Sequence, residues 1–285
     1  MKIGINMLLW TGHVLEEHFA LFDCIKSWGF DGVEIPVMNL APTAHYKRVG
    51  EAARNCGLEI TTSSAFTSDI DPLADDRTRA ADYLKHVIER VNALGSNLLV
   101  GPLYQVLGKF SGSAPTDSER RRAAELHWAV APEAIAAGVE CALEPLNRFE
   151  AHLLNTVEQT VNYLGTLEAP AFSGMYDTFH AHIEEKDPIV ALAAMHRAGW
   201  LRHIHIAEND RGIPGHGHAK LRETIRYLNS VGYDRWLTIE AFGTGVSELA
   251  AATRVWRSFF SDPENVCREG GRFIRNVWTE SGQQL

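Results

Sequence analysis

Residues 139–146 read VECALEPL, 172–180 FSGMYDTFH, 201–208 LRHIHIAE and 235–242 RWLTIEAF. Each is a short apolar run with a carboxylate or a histidine at or near its end. Each is preceded by a longer amphipathic stretch that ends near a glycine. Four similar runs lie upstream: 2–10 (KIGINMLLW), 32–37 (GVEIPV), 58–66 (LEITTSSAF) and 96–104 (SNLLVGPLY). The spacing predicts helices over 14–28, 43–56, 76–94, 117–137, 156–167, 188–198 and 219–230, then over 246–260 and 263–279. Gly29, Gly57, Gly95, Gly138, Gly199 and Gly232 fall just past a helix and just before a strand, the left-handed cap position that glycine occupies cheaply. Asp117 and Asp187-Pro188 read as helix starts.

Helix, glycine and apolar run together make a βα unit. The runs are near-continuously apolar, which fits strands covered on both faces. Eight units in 285 residues allow about 36 residues each, the usual size of a (β/α)8 TIM barrel. A doubly wound sheet would place a GxGxxG turn after its first strand; residues 10–14 read WTGHV. The expected fold is therefore α/β, a (β/α)8 TIM barrel, in one domain over residues 1–285 with C-terminal helices across 246–279.

Composition limits the function classes. Lys and Arg number 27 against 36 Asp and Glu, a net charge of −9, which disfavours a nucleic-acid partner. ERRRAAE at 119–125 reads as a solvated helix face. Cys24, Cys56, Cys141 and Cys267 show no CxxC spacing and are expected to be buried, reduced thiols. No run of 18 apolar residues appears, so no membrane span is expected. MKIGINMLLW is too short and strand-like for a secretory signal. A soluble cytoplasmic protein is expected.

In such barrels the active site lies at the C-terminal ends of the strands. Strand five ends with Glu144, strand six with Asp177 and His180, strand seven with His205 and Glu208, and strand eight with Glu240. Charged groups at the tips of apolar strands are costly unless paired or metal-bound. A divalent cation held by three carboxylates and one imidazole answers that cost, and mainly oxygen ligation suits Mn²⁺ or Mg²⁺, with Co²⁺ next. A salt-bridge network with Arg148, Arg202 and Arg211 is the other reading.

His203 and His205 face the same side of a strand; His205, nearer the end, is the candidate ligand and His203 a packed core histidine. His216 and His218, in PGHGH, read as solvated loop histidines or a lid contact. Glu34 either touches a substrate or pairs with a neighbour. Trp10 and Phe66 close strands one and three and either wall a pocket or pack in the core.

LEPLNRFE (143–150) with LLNT (153–156), DTFHAHIEE (177–185), HIHIAENDRGIPGHG (203–217), IEAFG (239–243) and VWRSFF (255–260) make the chain resemble the ketose 3-epimerases of the D-tagatose, D-allulose and L-ribulose type. These lie within the xylose isomerase-like sugar isomerase and epimerase superfamily. The resemblance implies that Glu144, Asp177, His205 and Glu240 hold one divalent metal, Mn²⁺ first, with Co²⁺ or Mg²⁺ as alternatives. It implies that Glu144 and Glu240 also act as the acid–base pair, and that Glu150, His180 and Arg211 hydrogen-bond the substrate. It also implies a homodimer or homotetramer. Ala181-His182 stand where the family has Met-Asn, GPLYQVLG leaves Tyr104 as the lone aromatic of its loop, and His216 and His218 replace the usual loop residues.

The implied reaction is inversion at C3 of a free ketose through a cis-enediolate. Other readings are an aldose–ketose isomerase and an epimerase of oxidised glycosides, to which LEPLNR and HIAEN are also similar. From other classes come a metal-dependent abasic-site nuclease, which would need a basic groove, and a non-catalytic sugar-binding subunit.

Overall fold

The computed structural model describes residues 1–282. Eight parallel strands close into a barrel in sequence order: β1 (Lys2–Asn6), β2 (Gly32–Pro36), β3 (Glu59–Ser63), β4 (Leu98–Gly101), β5 (Glu140–Leu143), β6 (Phe172–Asp177), β7 (Leu201–Ile206) and β8 (Trp236–Ile239), which pairs back onto β1. The helices outside are α1 (Phe19–Ser27), α2 (Thr43–Asn55), α3 (Thr78–Leu94), α4 (Asp117–Ala137), α5 (Val157–Leu167), α6 (Thr178–Glu184), α7 (Pro188–Arg197), α8 (Leu221–Ser230), α9 (Ser247–Thr253) and α10 (Pro263–Gly282). This is the expected (β/α)8 TIM barrel.

Local chemistry explains the boundaries. All six glycines singled out at helix ends have φ between 65° and 87°, a region closed to most side chains. Thr116 and Glu119 form a reciprocal capping box at the start of α4, and Asp187 caps α7 ahead of Pro188.

Two expected helices and one expected strand need correction. Residues 14–18 do not join α1; they form a loop and one 3₁₀ turn, Glu16–His18. The helix expected over 246–260 stops at Thr253, because Arg254 turns left-handed with φ 58° and Val255 drops into a small apolar cluster with Leu8, Phe242 and Ala250. The run 172–180 is not one strand: β6 ends at Asp177, whose side chain caps α6, so His180 stands on a helix.

Strand side chains alternate between the helix layer and the barrel interior. Ile204 and Ile206 join the main core outside the barrel, while His203 and His205 both approach Glu34 across the interior. Part of the interior is apolar (Leu98, Val100, Ala142, Met175). The rest is polar, which is why β7 alternates rather than reading as a continuous apolar run. α10 joins the main core through Val266, Cys267, Ile274 and Val277. It comes close at Gly270, where a Cβ would meet Pro214 Cδ at 2.9 Å and Ile239 Cδ1 at 3.0 Å.

The cysteines are free, but only Cys141 and Cys267 are buried; Cys56 is half-buried and Cys24 exposed. Among the described residues no helix is long and apolar enough to cross a membrane.

Candidate metal and acid–base site

The C-terminal strand ends converge. Glu144 follows β5, Asp177 closes β6, His205 lies in β7 and Glu240 follows β8. One ligand atom from each lies within 4.8 Å of the others, and all four residues are buried. His205 Nδ1 is 3.4 Å from Glu240 Oε1, 3.7 Å from Asp177 Oδ2 and 3.8 Å from Glu144 Oε1. Asp177 divides its work: Oδ1 accepts the Phe179 N–H at 2.6 Å to start α6, and Oδ2 faces the cluster.

Behind the cluster, His205 Nε2 lies 2.9 Å from Glu34 Oε1. A carboxylate only accepts, so Nε2 is the donor, and Nδ1 is the nitrogen whose lone pair becomes available to a cation once its proton leaves. That buried Nδ1 has no hydrogen-bond partner among the described residues. A buried imidazole nitrogen without a partner, facing three carboxylates, is the donor set that suits a hard or borderline divalent cation, and the residues present fit one.

The electrostatics show the same need. Burial, reinforced by Glu240 and Asp177, pushes the Glu144 carboxyl well above the usual range. Burial opposes charge on Asp177, yet Arg211, then His180 and His205, hold its carboxyl far below the usual range. Burial also opposes charge on His205, but Glu34 and Glu240 outweigh it and raise the imidazole well above its ordinary value. The bare chain therefore retains protons where a cation would otherwise supply positive charge.

The salt-bridge alternative does not close. Arg148 pairs at the surface with Glu184 (2.9 Å), and Arg202 pairs with Glu140 (2.8 Å), at the start of β5 and so at the opposite end of the barrel. Only Arg211 reaches the cluster, donating to Glu240 Oε2 at 2.8 Å and Asp177 Oδ2 at 3.2 Å. One guanidinium thus answers the three buried carboxylates of the cluster, bonding two of them.

Arg211 Nη2 lies 3.1 Å from His180 Nε2, and its guanidinium stacks on the Phe179 and Phe242 rings. His180 Nδ1 accepts the Asn147 N–H at 3.0 Å, so Nε2 carries the ring hydrogen and has Glu144 Oε1, 3.6 Å away, as the acceptor it faces. Burial, then Arg211, lowers the His180 imidazole. Asn147 Nδ2 donates to Glu150 Oε1 at 2.9 Å. Glu144, Glu150, His180, His205, Arg211 and Glu240 line one cavity of about 100 Å³ with an apolar far wall of Leu8, Met38, Leu107, Phe242 and Leu249. A larger groove of about 510 Å³ between α4 and α5 carries neither acid nor histidine.

Other sequence candidates fall outside. Glu208 does not face the cluster; it accepts the N–H groups of Asn209, Gly215 and Ala219 and ties the loop after β7. His216 pairs with Glu269, and His218 packs edge-on to His182. His203 Nε2 is 2.9 Å from Glu34 Oε2 without hydrogen-bond geometry. Trp10 follows a 3₁₀ turn after β1, and Phe66 packs on Tyr83; neither lines the cavity. The 119–125 stretch is not wholly solvated: Glu119 is buried and pairs with His152 at 3.0 Å. Asn6 was missed. It closes β1, so the strand-end rule that selected the others could have found it.

Three comparisons bear on this geometry. A probable ketose 3-epimerase from Synechocystis sp. is 30% identical over 98% of this chain and 97% of its own. A ketose 3-epimerase from Arthrobacter globiformis is 29% identical over 98% and 97%. The solved structure of an L-ribulose 3-epimerase superposes with a TM-score of 0.91 at 28% identity, covering 99% of this chain and 96% of that one. The xylose isomerase-like TIM barrel model matches residues 22–277. With that match running through every strand from β2 to β8 and the site at their ends, the chain belongs to the xylose isomerase-like TIM barrel family.

Proposed function

We propose that this carbohydrate epimerase inverts C3 of a free ketose, with Glu144 and Glu240 as the acid–base pair. The observation that carries the reading is the convergence of Glu144 and Glu240, from non-adjacent strands, to within 3.8 and 3.4 Å of His205 Nδ1. The names of the relatives support the substrate class.

In this reading Glu144, Asp177, His205 and Glu240 hold one divalent ion, Mn²⁺ first and Co²⁺ or Mg²⁺ as alternatives. A bound divalent ion supplies Lewis-acid polarisation of the substrate carbonyl, worth several kcal/mol at the transition state. The protein supplies the proton chemistry. One carboxylate takes the C3 proton, leaving an enediolate. The other, carrying a proton, returns one to the opposite face of C3. Reversal exchanges the two roles, so a single pair serves both directions. Arg211 donates and cannot act as base; with His180 it steadies the developing negative charge on oxygen. Glu150, held by Asn147, accepts from a substrate hydroxyl. The apolar far wall excludes water from the intermediate.

Residues 1–285 act as one catalytic domain in this reading, supported by a main core that runs from Ile3 to Val277. A homodimer or homotetramer is part of it, with the 246–279 segment and its exposed Trp256 as contact; light scattering reports the assembly. The net charge of −9 and the absence of a spanning helix among the described residues go with a cytoplasmic sugar enzyme rather than a nucleic-acid or membrane partner. The test is product analysis on free ketopentoses, ketohexoses and an oxidised glycoside in D₂O, with and without chelator. Deuterium at C3 alone, lost with chelator, is expected. Label at C1 or an aldose product would establish an isomerase instead.

A further inference from the structure

We infer that Glu34, tied to Asn6, is a positioning residue: it sets which nitrogen of His205 is offered to a cation and couples that choice to the orientation of Glu240. The inference rests on the metal reading above. Glu34 is fully buried in β2, does not line the substrate cavity, and acts through its neighbours. Its Oε1 accepts from His205 Nε2 at 2.9 Å and from Asn6 Nδ2 at 2.9 Å, while Oε2 accepts from Thr61 Oγ1 at 3.1 Å.

In the neutral ring that a cation binds, the Nε2 hydrogen given to Glu34 leaves Nδ1 to present its lone pair to Glu144, Asp177 and Glu240. Without that acceptor the hydrogen is free to occupy Nδ1, where it would point at Glu240 Oε1, 3.4 Å away, and close the ligand position. Asn6 adds the coupling. Its Oδ1 accepts the Leu8 N–H at 2.9 Å, which settles the orientation of the amide. Its Nδ2 then spans Glu34 Oε1 at 2.9 Å and Glu240 Oε1 at 3.1 Å. The hydrogen-bond acceptor of the imidazole and one oxygen of the acid–base pair thus share a single donor.

Reach and charge can be separated. Glu34→Asp keeps the charge and draws the carboxylate back by one methylene. Glu34→Gln keeps the reach, with its oxygen toward His205 and Asn6 and its amide toward Thr61 and His203 Nε2. Mn²⁺ titration of the full chain, read by the signal of free Mn²⁺, with circular dichroism to verify folding, is the experiment. Glu34→Asp should bind Mn²⁺ about 10–100-fold more weakly, and Glu34→Gln should lose less than Glu34→Asp. Wild-type affinity in Glu34→Asp, or weaker binding in Glu34→Gln than in Glu34→Asp, overturns the positioning role. A wild-type chain that takes up no Mn²⁺ overturns both this inference and the metal reading. If the Mn²⁺ pattern holds while no ketose turns over, the inference stands and the proposed reaction falls.

Discussion

Glu240 carries three relationships at once: Arg211 on Oε2 at 2.8 Å, Asn6 on Oε1 at 3.1 Å, and His205 Nδ1 at 3.4 Å. Arg211 and Asn6 both donate to it, so an amide of the same shape keeps one of these bonds through its oxygen and loses both the other bond and the capacity to take a proton. Glu240→Gln should leave the fold intact and lower kcat by about 10²–10⁴-fold, the usual contribution of a positioned general base. Steady-state kinetics at saturating Mn²⁺, beside a melting curve, check this. Near wild-type turnover would remove Glu240 from the pair. At the same scale, Arg211 has φ 63°, an uncommon conformation for a side-chain-bearing residue. The turn that produces it aims a loop residue back over the strand ends.

Among the elements, α4 shows how a helix terminus serves the loops above the barrel. Thr116 accepts the Glu119 N–H at 3.2 Å, and Glu119 Oε2 accepts the Thr116 N–H at 2.7 Å. Glu119 also reaches His152 in the loop after β5; burial would raise its carboxyl, but these contacts outweigh it and hold the group at about 2. Thr116→Ala should destabilise the protein by about 0.5–2 kcal/mol, measured by urea unfolding. It should leave the KM for ketose unchanged, because neither residue lines the cavity. α6 is the counterpart at the site: seven residues long, it exists because Asp177 caps it, and it carries His180 to Arg211. The same carboxylate thus ends a strand, starts a helix and faces the cluster.

For the whole molecule, the buried charges make stability depend on pH and on metal. His205 (ordinary value 6.5) and Glu144 (ordinary value 4.5) are both raised in the folded chain. The folded chain therefore holds protons that the unfolded chain releases. Their contribution is complete below those ordinary values and is lost as pH rises through the folded ones. Asp177, held far below its ordinary 3.8, behaves oppositely and contributes above that value. The metal-free protein should accordingly melt at lower temperature as pH is raised above about 6.5, the reference value for histidine. Mn²⁺ at a hundredfold excess over its Kd should restore about 2.7 kcal/mol, the metal binding more tightly as pH rises because protons compete for the same atoms. Melting series in chelator and in Mn²⁺ across pH provide the check. A metal-free melting temperature that does not fall with pH would contradict the buried-proton account.

Much of this architecture follows from local pattern. Eight apolar runs, six glycines at left-handed caps and a carboxylate or histidine at the last four strand ends are short-range features, so the barrel and the grouping of Glu144, Asp177, His205 and Glu240 could be read along the chain. What could not be read depends on closure. Asn6, Glu34 and His205 are separated by 28 and 171 positions and meet only because β1, β2 and β7 point inward around a common axis. Of Arg148, Arg202 and Arg211, all equally charged on paper, one is delivered to the cluster by a left-handed turn, one stays at the surface and one lies at the far end of the barrel. Periodicity states which residue types share a face of one element. Which faces then meet is set by the closed order of the strands and the burial it imposes.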